Sequence, residues 1–128
     1  MKHVARCLAI GIALFGAGAA LAQPAPLTPL STANQSATIT TGNTFQQVLA
    51  ASAFRHSLTI QNNNASDSCW IAFGAVNGTA ITAGNATKAE SILLTAGGSF
   101  QRYYPYVPIE AIIATCASNG DTLYIDTQ

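Results

Sequence analysis

The sequence predicts an all-β fold, an antiparallel β-sandwich of jelly-roll or related Greek-key type with about seven to nine short strands. Three observations lead there. From Ser36 onward, short β-prone runs alternate with clusters of Gly, Asn and Ser, the texture of strands joined by tight turns. The stretch Ser68-Cys69-Trp70-Ile71-Ala72-Phe73-Gly74 puts Cys69, Ile71 and Phe73 on one face and Trp70 and Ala72 on the other. That period-2 pattern, apolar on both sides, marks a central strand. Finally, Cys69 and Cys116 form an even pair in a chain that opens with an export signal.

Taken in order, residues 1–22 carry Lys2, His3 and Arg6, then an uncharged apolar run from Cys7 to Leu21 that closes on Ala20-Leu21-Ala22. This is a basic n-region, an h-region and an A-x-A site, so cleavage is expected after Ala22. The run holds Gly11, Gly16 and Gly18 and falls short of the roughly 20 apolar residues that span a bilayer. Cys7, at the very start of the apolar run and directly after Val4-Ala5-Arg6, is poorly placed for lipidation and is expected to leave with the signal. Residues 23–35 contain Pro24, Pro26 and Pro29, too many for a helix or a central strand, and form an extended linker or arm. Residues 36–128 form the sandwich domain, a length suited to one domain and not two.

Within that domain the expected strands are Ala37 to Thr41, Phe45 to Ala50, Ser57 to Asn62, Ser68 to Val76, Thr79 to Thr82, Ser91 to Thr95, Ser99 to Tyr104, Ile109 to Ala117 and Thr122 to Thr127. Asn77-Gly78 and Asn119-Gly120 each fit a two-residue type I′ hairpin, because both residue types tolerate positive φ. Gly97-Gly98 separates two further runs in the same manner. One segment is ambiguous. Between Thr44 and His56, Phe45, Val48, Leu49 and Ala53 recur at helical spacing behind a Thr44-x-x-Gln47 capping pattern, and strand is preferred over helix there. Leu58 and Ile60 are expected to point inward from the next strand. An immunoglobulin domain is disfavoured, since Trp70 directly follows Cys69 and faces the other way.

Composition limits the partners. After signal removal, Arg55, Lys88 and Arg102 stand against Asp67, Glu90, Glu110, Asp121 and Asp126, a formal charge of −2. No cluster of Lys and Arg offers a footprint for nucleic acid. In an oxidising compartment Cys69 and Cys116 are expected to pair as a disulfide, whose loop of about 48 residues restricts the unfolded chain by about 4 kcal/mol in the entropy model. Free buried thiols or half of a metal site are the competing readings, and zinc would need ligands that a single remaining His56 does not supply.

No catalytic constellation emerges. His56 is the one imidazole left, the acids are dispersed among turns and strand ends, and no G-x-S-x-G motif accompanies them. A small secreted hydrolase is therefore the least favoured reading. No cofactor or metal is implied: Asn62-Asn63-Asn64 followed by Asp67 suits a polar loop whose amides satisfy local backbone, without the acid spacing of an EF-hand. Arg55, at a strand entrance, is suited to pairing with a carboxylate or to donating to loop carbonyls. The suggestive surface feature is Arg102, Tyr103, Tyr104 and Tyr106, with Pro105 and Pro108 ending the strand. Such rings either pack over the core or stack on sugars and anchor a partner. The Asn-x-Ser/Thr tripeptides in this Asn-rich chain mark loops and not glycans.

The order Arg55-His56-Ser57-Leu58-Thr59-Ile60-Gln61-Asn62, Cys69-Trp70-Ile71-Ala72-Phe73-Gly74, Leu93-Leu94-Thr95-Ala96-Gly97-Gly98 and Asp121-Thr122-Leu123-Tyr124-Ile125 resembles small β-sandwich structural and decoration proteins of tailed-phage particles. The likeness runs from about Leu49 to Ile125. It implies a non-enzymatic structural or interaction module. Virion proteins assembled in the cytoplasm normally lack an export signal and a disulfide, so the likeness can extend to the scaffold without the role. The expectation is an exported protein, secreted or periplasmic, that associates with itself, with a protein partner or with a glycan, and neither with nucleic acid nor, after cleavage, with a membrane.

Overall fold

The computed structural model describes residues 33–128; the segment read as a signal, and the segment read as an arm up to residue 32, lie outside them. Eleven strands follow in order: β1 (Ala33–Asn34), β2 (Ala37–Thr38), β3 (Gln46–Leu49), β4 (Ser57–Asn62), β5 (Cys69–Ala72), β6 (Ala75–Val76), β7 (Thr79–Ala80), β8 (Ile92–Leu94), β9 (Ser99–Tyr103), β10 (Ile112–Cys116) and β11 (Thr122–Thr127). Two antiparallel sheets face one another. One runs β1-β11-β4-β9, with β2 also on β11, and the other runs β3-β10-β5-β8.

The pairings are nested in sequence. The outermost strands β1 and β2 pair with β11, then β3 with β10, β4 with β9, and β5 with β8, alternating between the two sheets. One long hairpin folded in this manner and rolled up gives the jelly roll, which leaves few exposed ribbon edges. The chain is therefore an all-β sandwich of the jelly-roll kind.

Alternation along the strands fills the space between the sheets. Leu58, Ile60, Phe100, Leu123 and Ile125 come from the first sheet and Leu49, Ile71, Leu94, Ile112 and Ala114 from the second, with Ile39 closing the stack. Each large aliphatic side chain so buried contributes about 1.5–3 kcal/mol. Leu58 and Ile60 have no solvent exposure, as their positions in the pattern require. Strand β10 is buried on both faces. Ile112, Ala114 and Cys116 belong to the core, while Ile113 and Thr115 point the opposite way and are inaccessible too. Thr115 sits beside Trp70, and the connection after β7 brings Lys88 back over that face, its Nζ 3.9 Å from the Trp70 ring centre and 2.6 Å from Asn43 Oδ1.

Cys69 and Cys116 are bonded, and they are direct register partners on β5 and β10. The link therefore lies within one sheet. Such a bond belongs to a compartment outside the reducing cytoplasm.

The elements differ from expectation in several places. Asn77-Gly78 is the type I′ turn anticipated, with φ of 49° and 78°, joining β6 to β7. Asn119-Gly120 is not a hairpin: β10 and β11 lie in different sheets, and of the two central residues only Gly120 takes positive φ. Gly97-Gly98 likewise connects β8 to β9 across the sandwich. A turn dipeptide specifies a chain reversal, and whether the next strand pairs beside the last or crosses over depends on which neighbour buries its apolar face. The run Ser68 to Val76 breaks at Gly74, where φ is +82°. Thr44 to His56 contains β3 and a loop, with no helix. Ala33–Asn34 pairs with β11, so the sandwich begins inside the segment read as the arm.

Candidate functional site

Two loops and the end of β11 converge at one end of the sandwich. Residues 50–56 leave β3, residues 104–111 leave β9, and backbone hydrogen bonds tie them together: Ser52 N to Ile109 O (2.8 Å), Tyr104 N to His56 O (2.8 Å) and His56 N to Gln128 O (2.5 Å). Beneath them lies Arg55, 5% exposed. Its guanidinium donates to the carbonyls of Ala50 (2.7 Å), Glu110 (3.2 Å) and Pro108. Burial lowers its pKa from the ordinary guanidinium value, and the nearby Glu110 charge acts in the other direction. Of the two roles open to Arg55, donation to loop carbonyls is the one its contacts fill, because a planar fork with five N–H groups can hold several acceptors at once.

The second loop is anchored from below by Val107, which joins the core, and by buried Pro108. The Tyr104–Pro105 peptide is cis, and Tyr106 N closes a turn onto Tyr103 O at 2.9 Å. With these parts held inward, the aromatic side chains are directed outward. Tyr103 is 62% exposed, Tyr104 72%, Tyr106 82% and Phe54, on the facing loop, 85%. Ile109 is also exposed. The His56 ring lies 5.7 Å from that of Tyr104. Arg102 is exposed on the edge strand β9, its guanidinium 4.7 Å over the buried Phe100 ring and donating to Gln101 O.

Tyr103, Tyr104 and Tyr106 thus stand together at this end with Arg102 beside them, and none of the three tyrosines packs into the core. Phe54, His56 and Ile109 share the surface; Phe54 and Ile109 were not singled out from the sequence, and His56 was weighed there only as an imidazole for catalysis or zinc. Their signal was faint: an isolated aromatic between two predicted strands, next to an arginine that would have to be buried to serve several carbonyls.

No protein-family model, curated protein or solved structure matches the chain.

The remaining reactive groups are scattered or already engaged. Asp67 precedes β5 and Asp121 precedes β11, at the end of the sandwich away from the tyrosines; Asp121 accepts from Ser118 N at 3.0 Å. Glu90 accepts from Thr87 Oγ1 at 3.0 Å. Among the described residues, Cys69, Cys116 and Asp121 bring ligand atoms within 4.8 Å of one another, but both sulfurs are spent in the bond between them. No described helix is long and apolar enough to cross a membrane. What the tyrosine-bearing end offers chemically is amphipathic ring surface with phenol hydroxyls, mounted on loops fixed from beneath.

Proposed function

We propose that the protein is an exported, non-catalytic interaction module of the structural or decoration kind, and that the aromatic end of the sandwich is its contact surface. The observation carrying this is the outward display of Phe54, Tyr103, Tyr104 and Tyr106 on two loops fastened below by Arg55. Large rings left mostly in water are the groups that anchor interfaces, because they bury much area at little cost in side-chain freedom. The disulfide supports work outside the cytoplasm, and the resemblance to β-sandwich proteins of tailed-phage particles supports a role in assembly over one in turnover.

A carbohydrate ligand is the second reading, favoured by the fact that three of the four rings are tyrosines on a surface with few charges. Sugar rings stack on such faces while the phenols exchange hydrogen bonds with hydroxyls.

The test is a comparison of the protein with a Tyr103→Ser/Tyr104→Ser/Tyr106→Ser variant. Self-association is followed by light scattering, and binding is measured on a panel of polysaccharides. Loss of at least tenfold in whichever association is observed, about 1.4 kcal/mol, with an unchanged melting curve, supports the proposal. Association that survives the triple substitution, or the absence of any association in both formats, removes it.

A further inference from the structure

Among the outer strands of the two sheets, β9 is the longest, at five residues, and within the described residues it pairs with β4 alone. An outer strand presents backbone groups on which another chain can add a strand. The phase of the ladder tells which groups these are. Tyr104 N donates to His56 O (2.8 Å) and Asn62 N donates to Gly98 O (2.9 Å), so the even-numbered residues turn toward β4, and Ser99, Gln101 and Tyr103 turn away from it.

Two of those three outward carbonyls are already taken. Arg102 Nη1 donates to Gln101 O at 3.1 Å, and Tyr106 N donates to Tyr103 O at 2.9 Å as the chain turns off the sheet. Arg102 also stands in an unusual place for a charge. It is the register partner of Leu58 and lies two residues beyond Phe100, on the face that both of these turn into the core. Its guanidinium runs back over the Phe100 ring, 4.7 Å from the ring centre, and reaches solvent because β9 ends the sheet. The other margins are closed by different means. Gln46 on β3 donates through Nε2 to Thr38 O (2.9 Å) and accepts through Oε1 from Thr40 N (3.1 Å), filling the groups beside β2 as a strand would. Strand β8 is only three residues long.

We propose that Arg102 guards the edge of β9 against strand addition by a second copy of this chain: the guanidinium occupies the central outward carbonyl and keeps a charge on the core-facing side. Antiparallel pairing of two β9 strands centred on Gln101 uses the N–H and C=O of that residue from both copies. It would displace Arg102 from Gln101 O and cover a charge that no carboxylate within β9 can meet. Arg102 thereby has a task separate from the tyrosine-bearing loop, and the inference holds whatever those tyrosines bind.

The experiment is analytical ultracentrifugation of the exported protein and its variants at high salt, where the change of charge is screened. Arg102→Thr keeps a strand-forming residue and removes the guard; its self-association is expected to be tighter than that of the unsubstituted protein by about tenfold or more. Adding Gln101→Pro should return it to the unsubstituted level, because the N–H that proline removes points off the sheet and the ladder to β4 loses nothing. Hydrogen exchange at the Gln101 amide should slow with rising concentration in Arg102→Thr and stay constant in the unsubstituted protein. Self-association unchanged by Arg102→Thr, or enhanced in a way that survives Gln101→Pro, overturns the proposal. So does a Gln101 amide that becomes protected with concentration in the unsubstituted protein, since the edge would then be open with Arg102 in place.

Discussion

Asn62 has no solvent exposure, yet its side chain is fully engaged. The amide nitrogen donates to the carbonyls of Asp67 (2.7 Å), Leu94 (3.0 Å) and Thr95 (3.1 Å), and the oxygen accepts from Asn64 N (3.1 Å) and Asn64 Nδ2 (2.6 Å). Asn64 in turn accepts from Thr122 N at 3.1 Å. One side chain thus ties the end of β4 to the turn before β5 and to the end of β8 in the opposite sheet. Buried carbonyls left without a donor each cost about 1–3 kcal/mol, so Asn62→Ala should lower stability by about 2–4 kcal/mol. The exposed neighbour Asn63, substituted likewise, should change it by no more than about 0.5 kcal/mol. Urea midpoints of the two variants, measured side by side, check this. That amides would satisfy local backbone here was legible from the run of three asparagines, but the reach of Asn62 across to β8 was not. Nothing local to residues 62–64 encodes where residue 94 ends up.

At the scale of elements, the strand interiors follow from alternation while their connections do not. Ser57–Asn62 and Thr122–Thr127 form with the bounds that the period-2 pattern sets, because a strand with one face buried has only one register that keeps Leu58, Ile60, Leu123 and Ile125 inside. Turn residues are less specific. Asn77-Gly78 makes a hairpin and Asn119-Gly120 a crossing, although the two dipeptides are identical in composition. The crossing is held by long-range contacts: Asn119 Oδ1 accepts from Gly42 N at 2.6 Å, and Asn43 Nδ2 donates to Ala117 O at 3.0 Å. Gly42 is required there for space. A Cβ at this position would lie 2.8 Å from Ala117 O and from Ser118 C, a clash with backbone that cannot rotate away. Gly42→Ala should therefore destabilise by about 1–3 kcal/mol, as overpacking does, whereas Gly84→Ala, whose nearest neighbour would be 3.9 Å away, should be neutral within about 0.5 kcal/mol. Thermal unfolding of both variants distinguishes the two outcomes.

For the molecule as a whole, the disulfide and the nested pairings act on the same problem. Most strand partners are far apart in sequence, so the unfolded chain must close large loops before any pairing is rewarded. Cys69 and Cys116, 47 residues apart, join the two central strands of the second sheet and shorten that search permanently. Replacing both with Ala should cost about 2–4 kcal/mol, read as a fall in the denaturation midpoint. Reduction should reproduce the loss in the native protein and add two hydrogens to its intact mass. That mass also reports whether the chain begins at Gln23.

The β-sandwich class, the inward direction of Leu58 and Ile60 and the pairing of Cys69 with Cys116 were written in the sequence, because period-2 alternation and the supply of cysteines are properties a chain carries with it. Only the folded structure decided which strands are neighbours, that the sulfur bond lies within one sheet, and that Phe54 and His56 join Tyr103, Tyr104 and Tyr106 at one end. Those facts are set by contacts between residues tens of positions apart, which arise when two apolar faces are pressed together, and no window along the chain contains both partners.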